Sequence, residues 1–382
     1  MKFDFIIFGG TGIQGRICAR DLLESGYKVA LVGRDKSQVS DLLKDEKAKF
    51  FYVDLKRERA IVRAIKKTKA DVVINCAELT FNVPIMKACL KTRKPCTDLG
   101  GLYYITKEQF RLHEAFKKAG ILCITGCGST PGILNVLTAY AIKDYDSVNS
   151  INLGFAWDSN IKKFVVPYSI KSIFREFEQP PIVFHDGNFI KSSRARCLGR
   201  ENFREIGEQT VYCIEHSEVY TFAKYFKDKK IKNINYMAGF PEHSLNLILN
   251  LMETGFNSDK EIEIRGQRIK PLTFTTEMLK KIEVPENYKE SEVLWANIEG
   301  KSKGRSKKTR IECVVKTLDA WKDAGSNVDT GRTISIISQM VKRDFIKDRG
   351  VFAPEAVVPQ DLFLSEIGRR KMFVYIDGKR IN

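Results

Sequence analysis

Short apolar runs and amphipathic stretches of helical length alternate through the first third of the chain. The runs fall at residues 3–8, 28–32, 49–53, 71–75, 95–98 and 121–125, with helical spacing between them at 13–25, 37–43, 57–67, 82–92 and 106–119. Such alternation predicts a parallel sheet covered by helices on both faces. After Pro131 the pattern changes. A helix-like segment at 133–143 leads into strand-like runs at 150–156, 210–214, 234–238, 262–264 and 293–298, many bounded by polar turns. This predicts a second, α+β domain with a largely antiparallel sheet. A helix at 334–347 and the run Phe373-Val374-Tyr375 make the tail apolar enough to pack. The expected division is 1–130, 131–329, and a C-terminal segment, 330–382, that returns to the first domain.

The 382 residues are 43% hydrophobic, enough for two or three cores of ordinary size. No stretch approaches the ~18 uninterrupted apolar residues of a membrane-spanning helix, and the first strand runs directly into a glycine turn without a signal-peptide pattern. A cytoplasmic protein without membrane contact is expected. Nine cysteines, an odd number without a CxxC pair, suggest scattered reduced thiols, and four histidines without HExxH spacing offer no metal site. The net charge of +17 attracts anions of any kind. Its densest basic run, residues 301–310, lies between two strand-like runs and contains Gly304, which predicts a solvated hairpin tip rather than a nucleic-acid site.

Directly after the first apolar run comes Gly9-Gly10-Thr11-Gly12-Ile13-Gln14-Gly15, opening the first helix. Gly10, Gly12 and Gly15 satisfy GxGxxG in the strand–turn–helix setting that gives the motif meaning. The backbone turns tightly, approaches a pyrophosphate, and offers it the helix N-terminus. The fold class is therefore α/β, a Rossmann-type doubly wound parallel sheet followed by the α+β domain, with a dinucleotide as cofactor. The second strand ends in Gly33-Arg34-Asp35. An arginine there can hold the 2′-phosphate of NADP, where an acidic residue would accept from the ribose of NAD; the sequence favours NADP over NAD. Asp54, ending the third strand, and Cys76 and Ala77, following the fourth, fall where adenine and nicotinamide-ribose contacts are made.

At Asp98-Leu99-Gly100-Gly101 and Gly126-Cys127-Gly128-Ser129-Thr130-Pro131-Gly132-Ile133-Leu134-Asn135 the chain resembles the saccharopine dehydrogenase family, most nearly its lysine 6-dehydrogenase-like branch. The resemblance extends to Arg265-Gly266-Gln267-Arg268-Ile269-Lys270-Pro271 and to Gly350-Val351-Phe352-Ala353-Pro354-Glu355, so it covers nearly the whole chain. It implies an active cleft between two domains, a homodimer, and NAD(P)-dependent hydride transfer at a C–N bond of an amino acid or amine. One alternative is a saccharopine- or carboxynorspermidine-type dehydrogenase, which condenses an amine with a carbonyl and reduces the imine. Another is a dinucleotide-binding protein without turnover. By the same resemblance Asp98, Cys127, Pro131, Gly132 and Asn135 line the cleft, and His216 and His243 fall where that branch carries histidines.

Oxidising an amine needs a hydride acceptor, a base for the ammonium proton, and a cation to clamp a carboxylate if the substrate has one. Asp98, at the carboxyl end of a parallel strand, is the first candidate to hold the nitrogen. Arg175, with Lys171, sits in the segment 167–176, which resembles a family element near the cleft, and is the candidate clamp.

Overall fold

Seven parallel strands form the first sheet, in the order Gly350–Phe352, Leu122–Ile124, Cys96–Asp98, Val72–Asn75, Phe5–Phe8, Val29–Gly33 and Ala48–Tyr52. The structure, a computed structural model, describes residues 2–382 except 167, 168, 179, 194–197 and 322–324; Pro167 and Tyr168 of the clamp segment thus lie outside the described residues. The strand order reverses between Phe5–Phe8 and Val72–Asn75. Loops at the carboxyl ends of these strands diverge there and open a crevice, the usual ligand position in such sheets.

Two expected helices take other forms. Residues 37–43 make two single 3-10 turns, Ser37–Val39 and Leu42–Lys44. The Asp35 carboxylate accepts from the Ser37 N–H at 2.9 Å and its hydroxyl at 2.6 Å, a local bond that competes with helix formation. The stretch 106–119 breaks into Tyr103–Phe110 and His113–Lys118, and His113 Nδ1 meets the Val351 backbone.

The second sheet has ten strands and is mixed. Ser147–Ser159 runs parallel to Asn233–Gly239, and every other pairing is antiparallel. Its longest pair, Glu290–Ser302 with Arg305–Lys316, closes through Lys303 and Gly304, both at positive φ (50° and 73°). A two-residue turn of that kind matches the twist of its strands, and the basic run is this hairpin's tip. Phe155, Trp157, Tyr236 and Leu294, on one face of the sheet, share a continuous apolar core with Ile17, Ile124, Leu134 and Ile334. That face therefore looks toward the first domain.

The tail divides between the two sheets. Helix Val328–Lys342 packs on Ile13–Glu24, with Gly331 so close that a Cβ would sit 2.4 Å from Ile17. Gly350–Phe352 then extends the parallel sheet, while Phe373–Ile376 and Lys379–Arg380 extend the other. Seven described cysteines are free, but Cys213 is disulfide-bonded, which corrects the expectation of thiols throughout. Spacing alone carries no information about such pairing. Among the described residues no helix is long and apolar enough to cross a membrane, and no group of His, Cys, Asp or Glu is placed to hold a metal.

Candidate active site

The glycine turn separates glycines that the fold needs from one that it does not. A Cβ at Gly9 (φ +74°) would lie 2.5 Å from the Ala77 nitrogen, and one at Gly15 2.2 Å from the Gly9 oxygen. At Gly10 it would press on the Ile7 oxygen at 3.0 Å. At Gly12 it would meet only the Gly9 oxygen, at 3.4 Å, in exposed, extended backbone at the helix N-cap. Packing does not require glycine at 12; a phosphate approaching the helix N-terminus would. The residues present thus fit a dinucleotide.

The neighbouring positions are consistent with that fit. Thr11 is pressed against Gly33, whose Cβ would sit 2.4 Å from Thr11 Cγ2, so the turn abuts the tip of the second strand. Beyond it Arg34 is exposed and makes no hydrogen bond or ion pair among the described residues, while Asp35 is committed to Ser37. Ile13 is exposed at the start of the helix, and Gln14 donates to Asn327 Oδ1 at 3.0 Å. Asp54 accepts from the Lys56 N–H at 3.1 Å, and the half-buried Cys76 and Ala77 follow Asn75.

Asp98 is buried and its two oxygens take four donors: the Gly100 N–H (2.7 Å), Gln109 Nε2 (2.6 Å), Thr125 Oγ1 (2.9 Å) and the Gly126 N–H (3.2 Å). Burial pushes its carboxyl up to about 6, opposed by the bonds from Thr125 and Gly100. Three of these contacts fall on Oδ1 and one on Oδ2, and the side chain is almost wholly buried, so Asp98 braces the loops after two strands from the interior.

The other expected lining residues are interior as well. The Cys127 thiol is fully buried and donates to the Ile124 oxygen at 3.3 Å. Pro131 follows a cis bond from Thr130, and at Gly132 (φ +141°) a Cβ would lie 1.8 Å from the Gly128 oxygen. Asn135 accepts from the Gly132 N–H and donates to Glu355, both at 2.8 Å. These four build the turn rather than face a ligand.

What this turn presents to the second domain is Thr130, which donates to Glu218 Oε1. The other Glu218 oxygen pairs with His216 Nδ1, and His216 stacks on Tyr236 with ring centroids 3.8 Å apart and planes within 7°. His216 Nε2 has no hydrogen bond among the described residues. Burial pulls the imidazole toward its neutral form, but Glu218 outweighs it with help from Glu176 and Glu215, so its pKa lies above the ordinary histidine value. His243 instead bonds Ser244 of its own helix at 3.0 Å and makes no contact with His216 among those described. Arg175 is half-buried without a described partner; one turn earlier on its helix, Lys171 reaches Glu78 at 3.8 Å, two residues beyond Cys76. That face of the helix borders the cofactor side.

Carboxyls surround the His216–Tyr236 stack. Glu218, Glu176 and Glu292 act on Tyr236; Glu292 in turn adjoins Asp329 and Glu290, and Glu355 adjoins Glu218. Burial raises Glu215, Glu292, Asp329 (to about 7) and Glu355 (to about 7), with Asp329 and Glu290 adding to the rise at Glu292. None of these four is ion-paired to a lysine or arginine among the described residues. Thr130, Glu218, Tyr236 and the acidic group were not singled out in the sequence; the string Glu215-His216-Ser217-Glu218 was the available signal.

Family models settle the chain's kinship. The saccharopine dehydrogenase NADP binding domain matches residues 5–124, and the saccharopine dehydrogenase C-terminal domain matches residues 128–372. The chain belongs to the saccharopine dehydrogenase family. Among its relatives, carboxyaminopropylagmatine dehydrogenase of Synechocystis sp. is 25% identical over 376 residues, 94% of this chain and 93% of that protein. Carboxynorspermidine synthase of Vibrio cholerae is 25% identical over 269 residues, 66% of this chain and 64% of that one. In fold the whole chain matches the apo saccharopine dehydrogenase (L-Glu forming) of Saccharomyces cerevisiae, with a TM-score of 0.76 at 13% identity over 100% of both chains. As a member of the saccharopine dehydrogenase family the protein is an NAD(P)-dependent oxidoreductase.

Proposed function

We propose that the chain is an NADPH-dependent dehydrogenase that forms or splits the secondary amine of a carboxylated, cationic aliphatic amine. The observation that carries this reading is the acid-lined seam around His216: Glu215, Glu292, Asp329 and Glu355 have no lysine or arginine partner among the described residues, in a chain of net charge +17. Burying an unpaired carboxyl is costly unless it stays protonated or meets a cation, and an amine-bearing substrate supplies one. The named relatives, a carboxyaminopropylagmatine dehydrogenase and carboxynorspermidine synthases, support the same class. Arg34, beside the glycine turn and unpaired among the described residues, supports NADP over NAD, and Arg175 is the clamp for the substrate carboxylate.

The dinucleotide, when bound, supplies or accepts the hydride at the carbon bearing nitrogen. With Nδ1 held by Glu218, His216 Nε2 takes the proton of the secondary ammonium, leaving a neutral amine whose lone pair forms the C=N bond as the hydride departs. In the reductive direction the imidazolium returns that proton to the amine nitrogen. Asp98, Cys127, Pro131, Gly132 and Asn135 keep the turn in shape, and His243 has no part in this reading. The homodimer and cytoplasmic setting go with it; exposed Phe256, Ile262, Ile264, Phe274, Met278 and Val284 crowd one excursion of the second domain, a surface suited to a second copy. The test is NADPH consumption with aliphatic diamines and triamines offered beside carboxylate-bearing aldehydes. Turnover that His216→Gln abolishes supports the reading; turnover with lysine and NAD⁺ alone overturns it in favour of amino-acid oxidation.

A further inference from the structure

A directional chain of hydrogen bonds enters the His216–Glu218 pair from Tyr236 by way of Thr130. The Tyr236 hydroxyl donates to Thr130 Oγ1 at 3.0 Å, and Thr130, having a single hydroxyl hydrogen, passes it to Glu218 Oε1. Glu218 is wholly buried, and its Oε2 holds His216 Nδ1 with a further bond from Ser217 Oγ at 3.2 Å. Tyr236 is also the surface on which the imidazole stacks. We propose that Thr130 and Tyr236 are positioning residues for proton transfer: together they fix the Glu218 carboxylate so that His216 keeps its hydrogen on Nδ1 and turns a bare Nε2 to the substrate nitrogen. This rests on the reading of His216 as the acid–base group and adds residues to it.

The geometry gives each member one role. Thr130 immediately precedes Pro131, in the turn braced by Gly132 and Asn135, so its hydroxyl is carried by the turn that follows strand Leu122–Ile124 and not by the segment that carries His216. Burial and Glu218 together keep the Tyr236 hydroxyl protonated far above neutral pH, so it keeps the hydrogen it donates to Thr130. The charged groups that face His216 are Glu218 and Glu215 from its own segment and Glu176 from helix Ile170–Glu178, with Tyr236 beneath it. All three carboxylates favour the imidazolium; of these only Glu218 bonds the ring among the described contacts, and Thr130 decides how tightly. Without the Thr130 donor, the anionic Glu218 is less well satisfied, most of all when His216 is neutral. The pair then holds its proton more strongly.

With only four histidines in the chain, the ring nitrogens can be resolved by 15N NMR in the full-length, NADP⁺-loaded protein. The native His216 should show the Nδ1–H tautomer and a midpoint above that of an ordinary histidine. Thr130→Val should raise this midpoint by about half to one unit, Thr130→Ser should restore it, and Tyr236→Phe should move it the same way by less. A native midpoint and tautomer in Thr130→Val would overturn the proposal, even if His216→Gln abolishes turnover. If His216→Gln turns over normally, the acid–base reading itself fails, whatever the NMR shows. A matched loss of NADP⁺ affinity and thermal stability in Thr130→Val without any midpoint shift would assign Thr130 to scaffolding alone and likewise overturn the proposal.

Discussion

Single positions in the cofactor turn separate what the fold requires from what a ligand requires. Gly9 and Gly15 have backbone atoms where a side chain would be, so substitution there reports on folding as much as on binding. Gly12 has open space in an extended conformation. Gly12→Val should therefore melt close to the native protein yet lose dinucleotide binding, because the branched side chain fills the path of the pyrophosphate; near-native affinity by fluorescence titration would reduce the turn to a packing feature. Arg34 offers a similarly clean reading, since it is exposed and no described residue competes for its guanidinium. A charge-assisted bond to the 2′-phosphate corresponds to about a ten- to hundredfold preference for NADPH over NADH. Arg34→Ala should bring the two affinities together, chiefly by weakening NADPH. A native protein that binds both cofactors equally would remove Arg34 from the site.

At the scale of elements, the loops after strands Cys96–Asp98 and Leu122–Ile124 are tied by one buried carboxylate, which predicts a pH signature. The Asp98 carboxyl titrates at about 6 in the folded chain, above its ordinary 3.8, with burial as the leading cause. Between those values the folded state binds more protons than the unfolded one, so this group makes stability fall as pH rises from 4 toward 6. Asp98→Asn should flatten the melting temperature over that interval. It should also lower it near neutrality, because Gln109 Nε2 would face an amide N–H in place of an acceptor, a loss of about 1–3 kcal/mol. Melts at stepped pH check both, and an unchanged slope would place the titration elsewhere. The strands of the first sheet and the glycine turn were legible in the sequence because apolar runs and GxGxxG are local signals. Asp98 at a strand end reads as catalytic for the same local reason, whereas its four donors come from Gly100, Gln109, Thr125 and Gly126 across three elements. Likewise nothing within 131–135 reveals that Pro131, Gly132 and Asn135 are interior, or that the residue of the turn that meets Glu218 is the half-buried Thr130. His216 was within reach of the sequence; its partnership with a threonine 86 positions earlier, through Glu218, was not.

The molecule as a whole carries its charge unevenly, +17 overall with an interior group of carboxyls, Glu215, Glu292, Asp329 and Glu355, that have no lysine or arginine partner among the described residues. At long range this surface repels a polyamine, but the Debye length at physiological salt is only about 8 Å, so surface charges lose their hold before the ligand reaches the seam. Inside, Asp329 and Glu355 are pushed up to about 7 and Glu292 is raised well above the ordinary glutamate range, each first by burial. A cation arriving among them stabilises the carboxylates, lowers their pKa values, and expels protons already bound. Binding of a linear aliphatic triamine to the NADP⁺-loaded protein at pH 7 should therefore release protons, and by linkage its affinity should rise with pH through about 7. Calorimetry reads this directly: the buffer takes up what the protein releases, so the heat should be more exothermic in Tris, with its large ionisation enthalpy, than in phosphate. Glu292→Gln should reduce the difference between buffers. Equal heats in the two buffers for the native protein would mean that the amine does not reach these acids, and the seam would then be a protonated internal network instead of the seat of a cationic substrate.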